Sequence, residues 1–189
     1  MVNQPTIEQL FDSPIKIKIL KLFLRNPDAS FGISEAAKKI GCGSSATKRH
    51  ILKLKGAGFL LRKGRTDFVL NKDFILYPEL ENLILKSIPV PFEKLKKQIK
   101  SLGSVKLAII CGIFLNEKGS RLDLLLVGER INQRKLNNFV KKTEQYIGRE
   151  VIYVVFNFKE FRYRLDVRDR FLRDILEGRH EKLIQKIKL

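Results

Sequence analysis

The stretch that decides the fold runs from Phe31 to Asn71 and reads FGISEAAKKIGCGSSATKRHILKLKGAGFLLRKGRTDFVLN. Apolar residues recur in its first part with the i, i+3, i+4, i+7 spacing that predicts a short amphipathic helix. These residues are Ile33, Ala36, Ala37 and Ile40. Gly32 or Ser34 can start this helix, and Gly41-Cys42-Gly43 ends it with residues that tolerate a tight turn.

A second helix is predicted directly after that turn. Ser44 or Ser45 can cap it, and a second buried stripe follows at helical spacing. The stripe consists of Thr47, Ile51 and Leu54, and Gly56-Ala57-Gly58 ends the helix. Residues 59–63, 64–66 and 67–70 then predict a strand, a tight turn and a second strand. Helix, turn, helix and hairpin in this order predict a winged helix-turn-helix.

The outward side of the second helix carries candidate DNA-binding side chains. In a helix-turn-helix the second helix enters the major groove, and its N-terminal residues reach base edges. Arg49 can pair with guanine through two hydrogen bonds, and a serine can bond a base or a phosphate. Basic residues on the helix and on the hairpin would neutralise phosphates. The candidates are Ser44, Ser45, Lys48, Arg49, Lys53, Arg62, Lys63 and Arg65. The alternative is an ordinary solvated basic face.

The charge of the chain favours a polyanionic partner. The 189 residues contain 38 Lys and Arg against 20 Asp and Glu, a formal net charge of +18. This excess favours nucleic acid over small acidic substrates. It is not confined to one half: residues up to Val90 include 15 basic and 8 acidic side chains, and the remainder 23 and 12. General solubility charge is the alternative reading.

The two cysteines, Cys42 and Cys111, are isolated and lack metal-ligand spacing, so we expect a reducing cytoplasm and no disulfide framework. The two histidines, His50 and His180, lie far apart in the chain, and we expect no metal and no cofactor. No 18-residue apolar run is present, and no basic-then-apolar signal pattern opens the sequence, so we expect no membrane partner.

Two domains are expected, 1–88 and 89–189. Before the decisive stretch, Asp12 or Ser13 can cap a helix with Pro14 in its first turn. After the hairpin, 78–86 predicts a helix that buries Leu80, Leu83 and Ile84. Pro89-Val90-Pro91 disfavours helix and is the best boundary.

The second half alternates between helices and strands. Helices are predicted over 92–102, over 136–148 and, as one or two helices, over 161–178. Strands are predicted over 105–111, 121–127 and 151–156. This half is therefore expected to be a mixed sheet covered by helices, and the whole chain to be an α+β protein of two domains.

Asp123 interrupts the apolar run Leu122-Asp123-Leu124-Leu125-Leu126. Buried carboxylates are costly unless they are paired or bound to a cation. The surrounding segment resembles the minimal nucleotidyltransferases of the DNA polymerase β superfamily, whose signature is a strand, a Gly-Ser turn and Ser-Asp-x-Asp. Gly112, Ser120 and Asp123 match and would form a residual nucleotide site. Ile113 replaces the phosphate-binding serine and Arg121 replaces the first metal-binding Asp, while strand 151–156 lacks the expected third carboxylate.

That resemblance implies the fold of the second half without its activity, and hence no catalytic residue. Asp123 would be satisfied by Arg121 or by a backbone donor. Alternatively, Arg121, Lys118 and the Gly112 turn would hold a nucleotide or an RNA phosphate, and catalysis is the third reading. As a whole the chain resembles prokaryotic winged-helix regulators of the ArsR/MarR kind fused to such a domain. The segments that carry this resemblance are 10–14, 19–20, the helix-hairpin segment, 148–151, 160–161 and 171–178.

The expected function is therefore that of a transcriptional regulator that binds double-stranded DNA, with a second domain that dimerises or senses a ligand. Two alternatives stay open. One is a Mg²⁺-dependent nucleotidyltransferase acting on RNA or protein. The other is an RNA or protein interaction module.

Overall fold

A computed structural model of the chain describes residues 13–86, 90–117 and 119–188. The described residues form an α+β protein and divide into two compact units. The first unit contains the described residues up to 86 together with Glu144–Arg149. The second contains the described residues from 90 to Thr143 and from Glu150 to 188. The sequence-based cap Asp12 and the boundary residue Pro89 lie outside the described residues.

The first unit begins with helix α1 (Pro14–Arg25). The Ser13 side chain caps it by accepting a hydrogen bond from the Lys16 amide at 3.3 Å, as the sequence predicts. Apolar side chains are buried on more than one side of this helix, which therefore lies at the centre of the unit's core. They are Ile17, Ile19, Leu20, Leu22, Phe23 and Leu24.

Around α1 are β1 (Ser30–Gly32), α2 (Ile33–Ile40), α3 (Ser44–Gly56), β2 (Leu60–Lys63), β3 (Asp67–Leu70) and α4 (Tyr77–Lys86). The three strands form an antiparallel sheet in the order β1-β3-β2. Gly41 ends α2 in the left-handed conformation (φ 64°), where its amide bonds the carbonyls of Ala37 and Lys38. The predicted helix, turn, helix and hairpin are therefore present in the predicted order.

Two local predictions in this unit are wrong. The residue that caps α3 is Gly43, in extended conformation, so the helix begins one residue earlier than the serine preference suggests. Ser44 and Ser45 consequently lie in the first turn. In α4, Leu83 is 45% exposed rather than buried, whereas its neighbour Ile84 is fully buried. Consecutive helix residues point about 100° apart, so a helix that packs through a narrow stripe buries only one of them.

Segment Glu144–Arg149 packs within the first unit although it follows the second unit's early strands in sequence. The Asn26 side-chain amide donates to the Gly148 carbonyl at 2.8 Å. Gly148 has φ +85°, and a Cβ there would lie 2.8 Å from the Leu22 amide nitrogen. A glycine is therefore required where this segment meets α1.

The second unit is built on a four-stranded mixed sheet in the order β6-β5-β4-β7. Its strands are β4 (Ser104–Ile110), β5 (Leu124–Glu129), β6 (Tyr153–Phe156) and β7 (Glu181–Gln185). Its helices are α5 (Phe92–Lys100), α6 (Gln133–Ile147), α7 (Phe158–Asp166) and α8 (Arg170–Glu177), except that the end of α6, from Glu144, belongs to the first unit. β4 runs antiparallel to β5 and β7, whereas β5 and β6 are parallel. Since parallel strands need a crossover, α6 makes that connection.

One apolar cluster of this unit's core lies between one face of the sheet and helices α7 and α8. It includes Leu107, Leu125, Val127, Phe161 and Leu172. The predicted strand 121–127 begins only at Leu124, because the preceding residues enter a loop whose backbone bonds run to other segments. β7 was not predicted.

Candidate nucleic-acid interface

The solvent-facing side of α3 carries the residues that the sequence singled out. Thr47, Ile51 and Leu54 are buried and fix which side of the helix faces the core. The five candidates on this helix are all exposed: Ser44, Ser45, Lys48, Arg49 and Lys53. Since α3 has no acidic residue in its first turn, the N-terminal end presents hydroxyls and a positive helix dipole together.

The position of α3 is set by α1 and by the turn before α3. The Lys18 ammonium donates to the Ile40 carbonyl at 3.1 Å, which ties the end of α2 to α1. The Thr47 hydroxyl donates to the Gly43 carbonyl at 2.9 Å. These bonds hold both ends of the turn, so the exposed side of α3 is presented on a rigid support.

The hairpin of β2 and β3 carries the remaining candidates. Arg62, Lys63 and Arg65 are exposed, while Leu60 and Phe68 anchor the strands in the core. The Arg62 guanidinium donates to the Arg65 carbonyl across the turn. β2 follows and contacts α3, so the first unit holds two neighbouring elements with basic exposed side chains.

His50 is a feature of α3 whose partner the sequence did not identify. Its Nε2 lies 3.2 Å from the Ser13 hydroxyl at the start of α1. Partial burial lowers the pKa of His50 below its ordinary value, and the charges of Arg49, Lys53 and Lys16 lower it further. The ring is therefore harder to protonate than an ordinary histidine, and the permanent positive charge of α3 comes from its lysines and arginine. Lys16, on α1, is a basic neighbour that sequence spacing could not reveal.

In the second unit, the three residues of the expected residual nucleotide site lie together. Gly112 has φ +53°, and a Cβ on it would overlap the Asp123 carboxylate and lie 3.0 Å from Ser120 Cβ. The Ser120 hydroxyl donates to the Leu122 carbonyl at 2.7 Å. Glycine is therefore needed where the 3₁₀ turn Gly112–Leu115 passes the carboxylate.

Both oxygens of the Asp123 carboxylate accept backbone hydrogen bonds. The Ile113 amide donates to Oδ1 at 2.8 Å, and the Ile152 amide donates to Oδ2 at 2.8 Å. The side chain is only 6% exposed. Asp123 therefore joins the turn after β4 to the segment before β6. Of the two partners that the sequence left open, the backbone donors are the ones seen, whereas Arg121 is exposed. Lys118 lies outside the described residues.

A cavity of about 360 Å³ opens beside this site. Its lining includes Cys111, Ser120, Arg121, Phe171 and Arg179. Burial, followed by the charges of Asp123 and Glu117, raises the pKa of the Cys111 thiol to about 12. The thiol is therefore protonated at neutral pH and donates to the Leu122 carbonyl at 3.1 Å, an environment that disfavours a nucleophilic role.

Among the described residues, no group of three or more His, Cys, Asp or Glu side chains could hold a metal ion. Within the same residues, no helix has the length and apolar composition that a membrane span requires. Comparisons with protein-family models, with curated proteins and with solved structures found no match to this chain.

Proposed function

We propose that this chain is a cytoplasmic DNA-binding transcriptional regulator whose residues 1–88 form a winged helix-turn-helix domain. The observation that carries the proposal is the exposed side of α3. Each polar candidate on that helix is exposed, and the opposite side is fixed in the core by Thr47, Ile51 and Leu54. The basic hairpin that follows α3 supports the same partner.

In the proposed complex, α3 enters the major groove of duplex DNA. Arg49 contacts a guanine through its two-pronged guanidinium, and Ser44 and Ser45 bond a base edge or a phosphate near the helix N-terminus. Lysines contribute point charges that neutralise phosphates and therefore add affinity without sequence information. In this scheme they are Lys48, Lys53 and Lys63, assisted by Arg62 and Arg65.

We propose further that residues 89–189 are a nucleotidyltransferase-like domain without catalytic activity, used for dimerisation or for sensing a nucleotide or RNA. The mixed sheet with a helical crossover between β5 and β6 supports the assignment. Arg121 at the position of a metal-binding carboxylate supports the loss of activity, because a cation there repels Mg²⁺. The two backbone bonds to Asp123 give that carboxylate a structural role.

The test is selection of bound sequences from a random duplex DNA pool, followed by sequencing, at several salt concentrations. We expect enrichment of a near-palindromic motif, since dimers place two recognition helices one DNA turn apart. The logarithm of the association constant should fall linearly with the logarithm of the salt concentration. Binding that is absent, or that does not respond to salt, would contradict the proposal. Salt-sensitive binding without any enriched motif would contradict sequence-specific regulation.

A further inference from the structure

The second unit has a basic surface that the proposed function does not use. It starts on α5, whose apolar residues Leu95 and Ile99 are fully buried against the sheet. The other side of the helix carries lysines. Together with Glu93, they line a surface depression of about 480 Å³; they are Lys94, Lys96, Lys97 and Lys100.

The start of α6 extends this surface. The Asn132 amide donates to the Leu102 carbonyl at 2.8 Å, and the Lys135 ammonium reaches the Ser101 carbonyl at 3.4 Å. The end of α5 and the segment 130–135 are therefore adjacent. The exposed basic residues of α5 and of segment 130–135 form what we name the α5–α6 basic face: Lys94, Lys97, Lys100, Arg130, Arg134 and Lys135.

Acidic residues offset little of this charge. Glu93 lies on α5 and Glu129 directly precedes segment 130–135, against the six basic residues of the face. Glu129 also accepts a hydrogen bond from the Phe158 amide at 3.0 Å. The face consequently keeps a net positive charge, and a polyanion is the partner that its electrostatics favour.

The chemistry of the face distinguishes between polyanions. A helix that binds a membrane surface inserts an exposed apolar side, but the apolar side of α5 is buried in the unit's own core. Lysine side chains are compact charges on flexible stems, which suits phosphates spaced along a backbone better than the edges of particular bases.

We propose that the α5–α6 basic face is a second DNA-contact surface, which binds the phosphate backbone of duplex DNA without reading its sequence. This inference rests on the proposed function, because duplex DNA is taken as the partner from the proposed winged helix-turn-helix. It assigns to the second unit a direct part in affinity, beyond dimerisation or ligand sensing.

The experiment measures the salt dependence of binding by the full-length chain to a fixed duplex. The test variant is K97Q/K100Q/R134Q. The control, K159Q/R162Q/R173Q, removes the same charge from exposed positions on α7 and α8 of the same unit. The measured quantity is the slope of the logarithm of the association constant against the logarithm of the salt concentration. Each lost phosphate contact makes this slope shallower by about 1. We expect a change of about 3 for the test variant and less than 1 for the control.

Further variants distinguish an effect of lost charge on binding from an effect of misfolding, and test the proposed function independently. K97R/K100R/R134K should restore the wild-type slope, and circular dichroism should show all variants folded. Equal slopes in test and control variants, or a change seen with an RNA hairpin but not with duplex DNA, would overturn the inference.

K48Q/K53Q/R65Q tests the winged helix separately. If that variant binds like wild type while the test variant does not, the proposed function fails and the basic face stands.

Discussion

The exposed side of α3 and the loop around Asp123 both carry charge, but they hold it in opposite ways. On α3 the charged groups lie in water, so they cost little to keep and are available to a partner. Asp123 is almost fully buried, and each of its oxygens accepts a backbone hydrogen bond. Burial without these bonds would be costly. A charged residue in a motif that resembles an active site can therefore stabilise the fold. An exposed charged residue on a helix that is anchored in the core remains accessible to a partner.

The largest effect that this contrast predicts is on stability. Asp123→Ala removes the acceptor from two amides, that of Ile113 in a buried site and that of Ile152 in a partly buried one. An unsatisfied buried donor costs about 1–3 kcal/mol, so we expect the free energy of unfolding of the second unit to fall by about 2 kcal/mol or more. Urea denaturation measures it. Asp123→Asn keeps one acceptor oxygen and should lose less. A loss below about 1 kcal/mol for the alanine variant would show that these bonds are not structural.

A pair of glycines offers a matched comparison of the two regions. Gly112 has φ +53°. A Cβ added to it would overlap the Asp123 carboxylate and would lie 2.8 Å from the Leu122 carbonyl oxygen. Gly43, before α3, has φ −66° and no atom within 4 Å of the corresponding Cβ position.

We therefore expect Gly112→Ala to destabilise the second unit by about 2 kcal/mol or more, from backbone strain and overlap together. Gly43→Ala should change stability by about 1 kcal/mol or less, since alanine is a poorer helix cap than glycine. Thermal and urea unfolding of both variants measure the difference. Similar losses in both would mean that the turn at Gly112 can shift away from Asp123 at little cost.

For α3, the expected effect is on binding rather than on folding. Arg49→Ala should weaken binding to the selected sequence by about 1–3 kcal/mol and leave binding to random duplex nearly unchanged. Because Arg49 is exposed, its loss should change the free energy of unfolding by about 0.5 kcal/mol or less. Fluorescence anisotropy with the two duplexes measures the affinities. Arg162→Ala, at an exposed position of α7, is the control. Equal weakening on both duplexes would assign Arg49 to phosphate contact.

The sequence predicted the parts of the molecule that depend on neighbouring residues. Helical spacing identified α2 and α3, and glycines identified the turns around them. A backbone donor to Asp123 was one of two predicted alternatives, but its identity could not be predicted, because Ile113 and Ile152 bond through backbone amides, which have no residue signature. β7 was missed since it has only two buried residues, Leu183 and Ile184, side by side instead of alternating. The candidate residues of α3 were predicted because an exposed helix face follows directly from the buried one.

The smallest expected effect concerns the protonation of His50 on α3. The pKa of this ring is lowered by partial burial and then by the charges of Arg49, Lys53 and Lys16. The folded chain thus binds a proton less readily than the unfolded chain does. Any stability that this shift contributes is present above the ordinary pKa of about 6.5, and it is lost as the pH falls through the folded value.

NMR titration of the His50 ring should give a pKa below the ordinary histidine value in the wild-type chain. In R49Q/K53Q, the loss of two nearby positive charges should raise the pKa of His50, while the contribution of burial remains. Ser13→Ala removes the hydroxyl beside Nε2 without changing charge and is the matched control. If R49Q/K53Q leaves the pKa of His50 unchanged, the solvent screens the exposed charges of α3 strongly. The contribution that these charges are proposed to make to phosphate binding would then have to be reduced.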